Sequence, residues 1–225
     1  MNSTDALLKY ALCFSMFFII KWISKANRSN RIFDVNGALS ANTANLIGLH
    51  LAGILWLGLV PVMLFKGSFN ELITGGVRPE LLWYSSFIPL VILLAVTVSR
   101  ASRQITIGHN NIHMLPAKFL RHYFLVRILF LVFYELFFRG LLLFDCLKWF
   151  GAFEAVILTT LLTVLLHTFG DKKEMWACIP YGILAACCCI SIHAVWPAII
   201  LHLSLSMVYE ISLVNRFLTH LKLIK

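Results

Sequence analysis

Three apolar stretches of the sequence carry polar side chains of the kinds that catalyse hydrolysis. Glu135 and Arg139 are four residues apart, which makes them neighbours on one face of an ideal helix. His167 stands near the end of a second apolar stretch, and His202 lies within a third. A carboxylate, a guanidinium and two imidazoles around one cavity could activate a water molecule and stabilise an oxyanion. Hydrolysis is therefore the chemistry that these residue types suggest.

The composition indicates that these residues lie in a membrane protein. Of 225 residues, 60% are hydrophobic and 13% are charged, whereas a soluble domain carries about 25% charged residues. No soluble single domain has enough interior to bury so much apolar surface, so the excess must face lipid. This excludes a disordered chain, a secreted disulfide scaffold and a cytosolic enzyme. The net charge of +9 is spread between apolar runs, so we expect no nucleic-acid partner.

Apolar runs long enough to cross a bilayer as helices, about 20 residues each, predict the architecture. We expect an all-α, polytopic membrane helix bundle with about seven transmembrane helices, forming a single membrane domain over residues 1–225. The predicted spans are Leu7–Ile23, Asn45–Phe65, Leu82–Ser99, Phe119–Cys146, Ala152–Phe169, Trp176–Ile192 and Val195–Leu213. The fourth run is too long for one straight crossing, so it must tilt strongly or include an interfacial turn.

The distribution of lysine and arginine predicts the orientation. With the N-terminus outside, most of these residues fall in the connections after the first, third, fifth and seventh spans. Positive charge collects on the cytoplasmic side of membrane proteins. We therefore expect an integral multi-pass protein of the cell membrane with its N-terminus outside and its C-terminus cytoplasmic. His109 and His113 lie between the third and fourth spans, where we expect a solvated connector rather than a metal site.

Ionisable groups inside spans are the strongest indication of function. A charge at the centre of a membrane costs roughly 2.5–3.5 kcal/mol on insertion scales, and such groups usually face a bundle interior or a water-filled cavity. With a rise of about 1.5 Å per residue, Glu135, His167 and His202 can converge near mid-membrane. In the structural alternative, the Glu135–Arg139 pair only helps its helix to insert and the histidines bond locally.

The seventh span carries further polar residues on the same helical face as its histidine. Trp196 and Pro197 open the span, where proline costs no helical hydrogen bond. His202, Ser206 and Glu210 follow at intervals of four residues and form one polar stripe. This stripe either belongs to the predicted cavity or bonds to neighbouring helices.

The order and spacing of these residues resemble the CAAX prenyl protease and bacteriocin-processing family of intramembrane endopeptidases. The pattern of that family is Glu-Glu-x-x-x-Arg on one helix, Phe-x-x-x-His on the next and His-x-x-x-Asn on a later one. The similar stretches here are 134–139, 163–167 and, after the Trp-Pro lead, 202–206. The family-like core covers about residues 119–213.

The resemblance implies a role for each site residue. In that family, the first glutamate and the histidine of the second motif activate a water that attacks a peptide carbonyl. By position, His167 would help to activate the water, His202 and Ser206 would stabilise the oxyanion, and Arg139 would hold Glu135. The implied partners are a peptide or protein substrate in or at the membrane and the surrounding lipid bilayer.

Three positions depart from the family pattern. Tyr134 occupies the position of the catalytic first glutamate, Thr163 replaces the phenylalanine and Ser206 replaces the asparagine. A phenol is a poor general base at neutral pH. Either Glu135 takes the role, although it points about 100° away from Tyr134 on an ideal helix, or the protein binds a partner without cleaving it.

Two other kinds of site remain as alternatives. Two histidines and a glutamate could bind zinc, but the sequence has no His-Glu-x-x-His motif and Arg139 would repel a dication beside Glu135. We therefore expect no cofactor and favour a metal-free site. A proton-coupled transporter would also use glutamate and histidine in its spans, but no inverted repeat supports this interpretation.

Overall fold

The computed structural model describes residues 3–24, 31–33, 43–65, 72–73, 80–105, 116–170 and 172–223. Within these residues the chain forms seven continuous rods of helix and no β-strand. This confirms the prediction of an all-α, polytopic bundle. The connector that contains His109 and His113 lies outside the described residues.

The seven rods follow one another as predicted, and two of them include a π-helical segment. The bounds in chain order are α1 (Ser3–Ile23), α2 (Thr43–Ile54) followed by a π-helical segment (Leu55–Leu59) and α3 (Val60–Leu64), α4 (Leu81–Arg103), α5 (Ala117–Glu135) followed by a second π-helical segment (Leu136–Leu142) and α6 (Leu143–Phe150), α7 (Ala152–His167), α8 (Lys172–Ile192) and α9 (Trp196–Leu223). The fourth rod is helical from residue 117 to 150, with no turn inside it.

Five helices in the described part of the chain are long and apolar enough to span a membrane. They are Ser3–Ile23, Asn45–Leu64, Leu81–Arg103, Lys172–Ile192 and Trp196–Thr219. The fifth predicted span is a shorter apolar helix of 16 residues. The last two helices extend beyond the predicted limits into polar sequence, because an apolar run measures what can face lipid and not where helical hydrogen bonding ends.

The rods alternate in direction, so that the same end of the bundle collects residues from many helices. At one end, Lys21 near the C-terminus of α1 donates a hydrogen bond to the carbonyl of Leu166 in the last turn of α7. At the other end, Trp83 in the first turn of α4 packs against Trp196 at the start of α9, with ring centroids 5.3 Å apart. This up-and-down arrangement brings the predicted site residues of α5, α7 and α9 to similar depths.

The fourth rod is the centre of the bundle. Every residue of the π-helical segment Leu136–Leu142 is buried. Phe137 packs edge-on against Tyr10 of α1, at 5.8 Å between centroids, and Phe138 packs in the same way against Phe14 at 6.3 Å. Edge-to-face contacts of this kind add to the stabilisation from burial. The rod that carries Glu135 and Arg139 is therefore buried at its centre and packed against α1.

Candidate functional site

A cavity of about 290 Å³ lies within the bundle, near the end where α7 finishes and α8 begins. Both histidines of the predicted site, His167 and His202, line it together with Tyr134, Tyr181 and Ser206. The walls therefore combine side chains from α5, α7, α8 and α9. The structure brings the polar residues of three separate apolar stretches to one place, as their depths allowed.

Glu135 is directed towards His202. One carboxylate oxygen, Oε1, lies 2.5 Å from Nδ1 of His202 and 3.1 Å from the hydroxyl of Tyr181. The Glu135 side chain is 1% exposed and that of His202 is 18% exposed. Because an ionised carboxylate can only accept hydrogen bonds, Nδ1 of His202 carries a proton, and Nε2 is left as an acceptor when the ring is neutral.

His167 has a backbone partner instead of a carboxylate. Its Nδ1 lies 2.8 Å from the carbonyl oxygen of Thr163, one turn earlier in α7. A carbonyl accepts and cannot donate, so this Nδ1 is protonated as well. The neutral ring therefore also presents Nε2 as an acceptor. The two histidines of the cavity have the same tautomer, but Nδ1 of His202 bonds a carboxylate and Nδ1 of His167 bonds a backbone carbonyl.

Tyr134 lies between the two histidines. Its ring centroid is 5.5 Å from that of His202 and 6.5 Å from that of His167, and both contacts are edge-to-face. Glu135, one residue further along α5, faces His202 from another direction. Tyr134, which the resemblance aligned with the first glutamate of the family pattern, thus contacts both histidines.

Glu135 and Arg139 do not form the ion pair that their spacing predicted. None of the ion pairs among the described residues joins the two side chains. The α-helix ends at Glu135 and the π-helical segment begins at the next residue. Arg139 instead reaches Thr163, with Nη2 3.5 Å from Oγ1.

Several buried polar atoms around this site have no hydrogen-bond partner among the described residues. They are Oη of Tyr134, Oε2 of Glu135, Nε and Nη1 of Arg139, and Oγ1 of Thr160. Buried polar groups are normally hydrogen-bonded. Three of these five atoms belong to Glu135 and Arg139. Each of the five can accept or donate a hydrogen bond to water or to a substrate group.

Sequence reasoning missed a second buried polar cluster, next to the cavity. Arg127 of α5 pairs with Glu210 of α9 at 3.1 Å and also bonds His50 of α2 at 2.8 Å. Its Nη2 donates to the hydroxyl of Ser206 at 3.1 Å, and Tyr123 donates to the other oxygen of Glu210 at 2.5 Å. We call these five residues the Arg127 cluster.

The Arg127 cluster divides the polar stripe of α9 between two partners. His202 is bonded to Glu135, whereas Ser206 and Glu210 are bonded to Arg127. Ser206, which the resemblance assigned to the oxyanion, therefore has its hydroxyl engaged one turn away from His202. The sequence feature that could have indicated this cluster is Arg127 itself, because an arginine inside a predicted span needs a polar partner.

An ion pair lines the cavity where it approaches the end of the bundle. Arg31 and Glu174 lie 3.1 Å apart, and both side chains are about three-quarters buried. The guanidinium of Arg31 also stacks over the ring of Tyr209, 4.5 Å from its centroid. The cavity thus has a charged wall near the bundle end and the aromatic and imidazole groups further in.

The described residues do not offer the ligand set of a catalytic zinc ion. No group of three histidine, cysteine, aspartate or glutamate side chains lies together in this part of the chain. Oε1 of Glu135 and Nδ1 of His202 are bonded to each other. We therefore derive no step through a metal.

A helical membrane bundle in which two histidines line a cavity, one of them bonded to a buried glutamate, has the features of an intramembrane protease. Residues 116–208 match a family model described as "Rce1-like: Type II CAAX prenyl endopeptidase Rce1-like". This match confirms the resemblance to the CAAX prenyl protease family, and the matched segment contains all the predicted site residues. The long apolar helices support an integral membrane protein, and its residues 116–208 are similar to proteases of the CAAX type. No curated protein and no solved structure matches the chain.

Proposed function

We propose that this protein is an intramembrane endopeptidase in which the Glu135–His202 pair activates a water molecule. The observation that carries the proposal is the bond between Oε1 of Glu135, which is buried behind the cavity wall, and Nδ1 of His202, which lines the cavity together with His167. A carboxylate on Nδ1 holds the imidazole in one tautomer and stabilises the imidazolium that forms when Nε2 takes a proton. We therefore assign the role of general base to His202 and not to His167.

The reaction then proceeds as a general base-catalysed hydrolysis. His202 takes one proton from the water through Nε2, and His167 orients the water by accepting its second hydrogen through Nε2. The water oxygen attacks the peptide carbonyl, and the hydroxyl of Tyr134, which has no partner in the described part of the chain, donates to the oxyanion. The carbon–nitrogen bond breaks as the His202 imidazolium returns its proton to the leaving amine.

These roles exchange the two histidines relative to the roles that the resemblance implied. The reason is the partner of the Glu135 carboxylate: Glu135 bonds His202, whereas the partner of His167 in the described part of the chain is the carbonyl of Thr163. A histidine without a carboxylate loses the electrostatic stabilisation of its charged form. Tyr134 supplies a donor where the family has a base, so its natural place in the reaction is on the oxyanion.

The substrate class is a peptide or protein segment in or at the membrane. We infer a single membrane domain with a catalytic core over residues 119–213. We further infer that the N-terminus lies outside the cell membrane and the C-terminus on its cytoplasmic side. The end of α7 and the start of α8 then lie on the cytoplasmic side, so that the cavity is reached from that leaflet. The charged pair of Arg31 and Glu174 lies along this path.

A second candidate function is the binding of a membrane peptide without cleavage. It is favoured by Tyr134, which lies between the two histidines where a carboxylate would provide a base. Under this hypothesis the cavity is retained for recognition and the protein acts as a regulator. The two functions differ in whether the bound peptide is cleaved.

Hydrolysis of fluorogenic peptides by purified protein in liposomes, including a peptide with a prenylated C-terminal cysteine motif, tests the proposal. We expect cleavage by the wild type and a loss of about 10²–10⁴-fold in His202→Ala and Glu135→Gln, the range for general acid–base groups. Ser204→Ala is the matched control, since among the described residues its hydroxyl bonds the carbonyl of Ile200 in its own helix and no other group. An inactive wild type that gains activity in Tyr134→Glu contradicts the proposal and supports the binding function.

A further inference from the structure

Tyr181 is an additional residue of the site that belongs to none of the sequence motifs. It lies in α8, lines the cavity, and places its ring 5.3 Å from that of His202. Its hydroxyl is 3.1 Å from Oε1 of Glu135 and 3.3 Å from the carbonyl oxygen of Ala198. The hydroxyl therefore reaches both α5 and α9 at the point where Glu135 and His202 meet.

We propose that Tyr181 is a positioning residue that holds Glu135 in the orientation in which it accepts the hydrogen bond from Nδ1–H of His202. This inference rests on the proposed function, because it concerns the same carboxylate–imidazole pair. Within the described residues, Oε1 of Glu135 has two donors, His202 and Tyr181, and Oε2 has none. Arg139, the partner that the spacing predicted, does not bond the carboxylate.

The chemistry of the hydroxyl favours the carboxylate over the carbonyl. A phenol has one proton to donate, and an ionised carboxylate is the stronger acceptor of the two that it reaches. The contact with Ala198 has a geometric role, since Ala198 is one turn before His202 on α9. Tyr181 thereby ties the carboxylate of one helix to the turn of another helix that carries the imidazole.

The local sequence of α8 allows this close approach. Pro180 lies inside the helix and has no N–H to donate, which loosens the turn before Tyr181. Gly182 follows, and a Cβ there would lie 2.8 Å from Cγ2 of Thr160 and 3.0 Å from Nη2 of Arg139. A side chain at this position would push α8 away from α7 and from the central rod. The Pro-Tyr-Gly sequence therefore brings the tyrosine hydroxyl within reach of Glu135.

The first test does not depend on catalysis. In protein labelled with ¹⁵N-histidine in lipid nanodiscs, the Nδ1–H proton of His202 is identified by its loss in His202→Ala. We expect Tyr181→Phe to displace this resonance, because Oε1 of Glu135 loses its second donor. Tyr84→Phe is the control, since Tyr84 stacks on Trp196 at the other end of the bundle. An unchanged His202 resonance in correctly folded Tyr181→Phe overturns the proposal.

The second test is a double-mutant cycle on peptide hydrolysis. We expect Tyr181→Phe to lower kcat about tenfold with little change in KM, as expected for one lost bond to a charged group. In a Glu135→Gln background the same substitution should have no further effect, because the two residues act as one unit. Additive losses contradict a positioning role.

The two tests separate this inference from the proposed function. If the wild type hydrolyses no peptide, the proposed function fails, and the His202 resonance still decides whether Tyr181 holds the pair. If the wild type is active and Tyr181→Phe is equally active, the inference alone fails.

Discussion

Glu210 and Arg127 form a buried ion pair eight residues away from the Glu135–His202 contact on both helices. Oε1 of Glu210 lies 3.1 Å from Nε of Arg127, and the two side chains are 2% and 6% exposed. Because the same eight-residue separation occurs on α5 and on α9, the two contacts are in one antiparallel register. The ion pair therefore aligns α9 so that His202 meets Glu135.

We expect Glu210→Gln to destabilise the protein strongly, by about 3–5 kcal/mol, because it leaves the Arg127 charge buried without a counter-charge. Thermal unfolding in detergent measures the effect. Asp5→Asn is the control: it breaks the exposed pair of Asp5 and Lys9, which we expect to cost less than about 1 kcal/mol. Equal destabilisation by both variants would show that the Arg127–Glu210 pair contributes no more than a surface contact.

Ser206→Ala should affect stability more than catalysis. Its hydroxyl accepts a bond from Nη2 of Arg127, and its loss leaves a buried donor unsatisfied at a cost of about 1–3 kcal/mol. We expect the melting temperature to fall while kcat per folded molecule stays within about threefold of the wild type, since three-fold corresponds to less than 1 kcal/mol. A loss of activity as large as that of His202→Ala would restore Ser206 to the oxyanion role.

Gly182→Ala tests the close approach of α8 to the centre of the bundle. The new Cβ would meet Thr160 and Arg139 at 3.0 Å or less, so both side chains must shift. We expect a destabilisation of about 1–3 kcal/mol, as for other overpacked sites. Gly48→Ala is the matched control: its Cβ meets no described atom within 4 Å, and the better helix propensity of alanine should stabilise α2 by about 0.5–1 kcal/mol.

Lys21→Met should loosen the end of α7 that carries His167. Lys21 is 8% exposed and donates to the carbonyl of Leu166, one of the helix-end carbonyls that have no partner within the helix. We expect a loss of about 1–3 kcal/mol and faster hydrogen exchange of backbone amides in the last turn of α7. In Lys9→Met, which lies near the other end of α1, exchange in this turn should match the wild type. Unchanged exchange in Lys21→Met would mean that the last turn is held by other contacts.

The composition and the long apolar runs were sufficient to predict the fold class. The hydrophobic content requires lipid contact, and in lipid every backbone polar group must be satisfied within the chain, which leaves helices as the structure for long apolar runs. The seven runs therefore became seven rods. The limits of α8 and α9 were less predictable, because helices continue into polar sequence beyond the membrane.

The sequence also identified most residues of the candidate site, because an ionisable group inside an apolar run is costly and needs a polar environment. It identified Glu135, Arg139, His167 and His202 as groups that should converge. It did not identify Tyr181 as part of the site, since a tyrosine in a membrane helix carries no charge and is common at many positions.

Only the tertiary structure decided which of these groups are partners. Glu135 bonds His202 of α9, Arg139 bonds Thr163 of α7, and Ser206 of α9 bonds Arg127. The spacing of residues in the sequence shows which side chains share a face of one helix. Partnership depends on the rotation and register of two helices against each other, and these follow from the packing of the whole bundle.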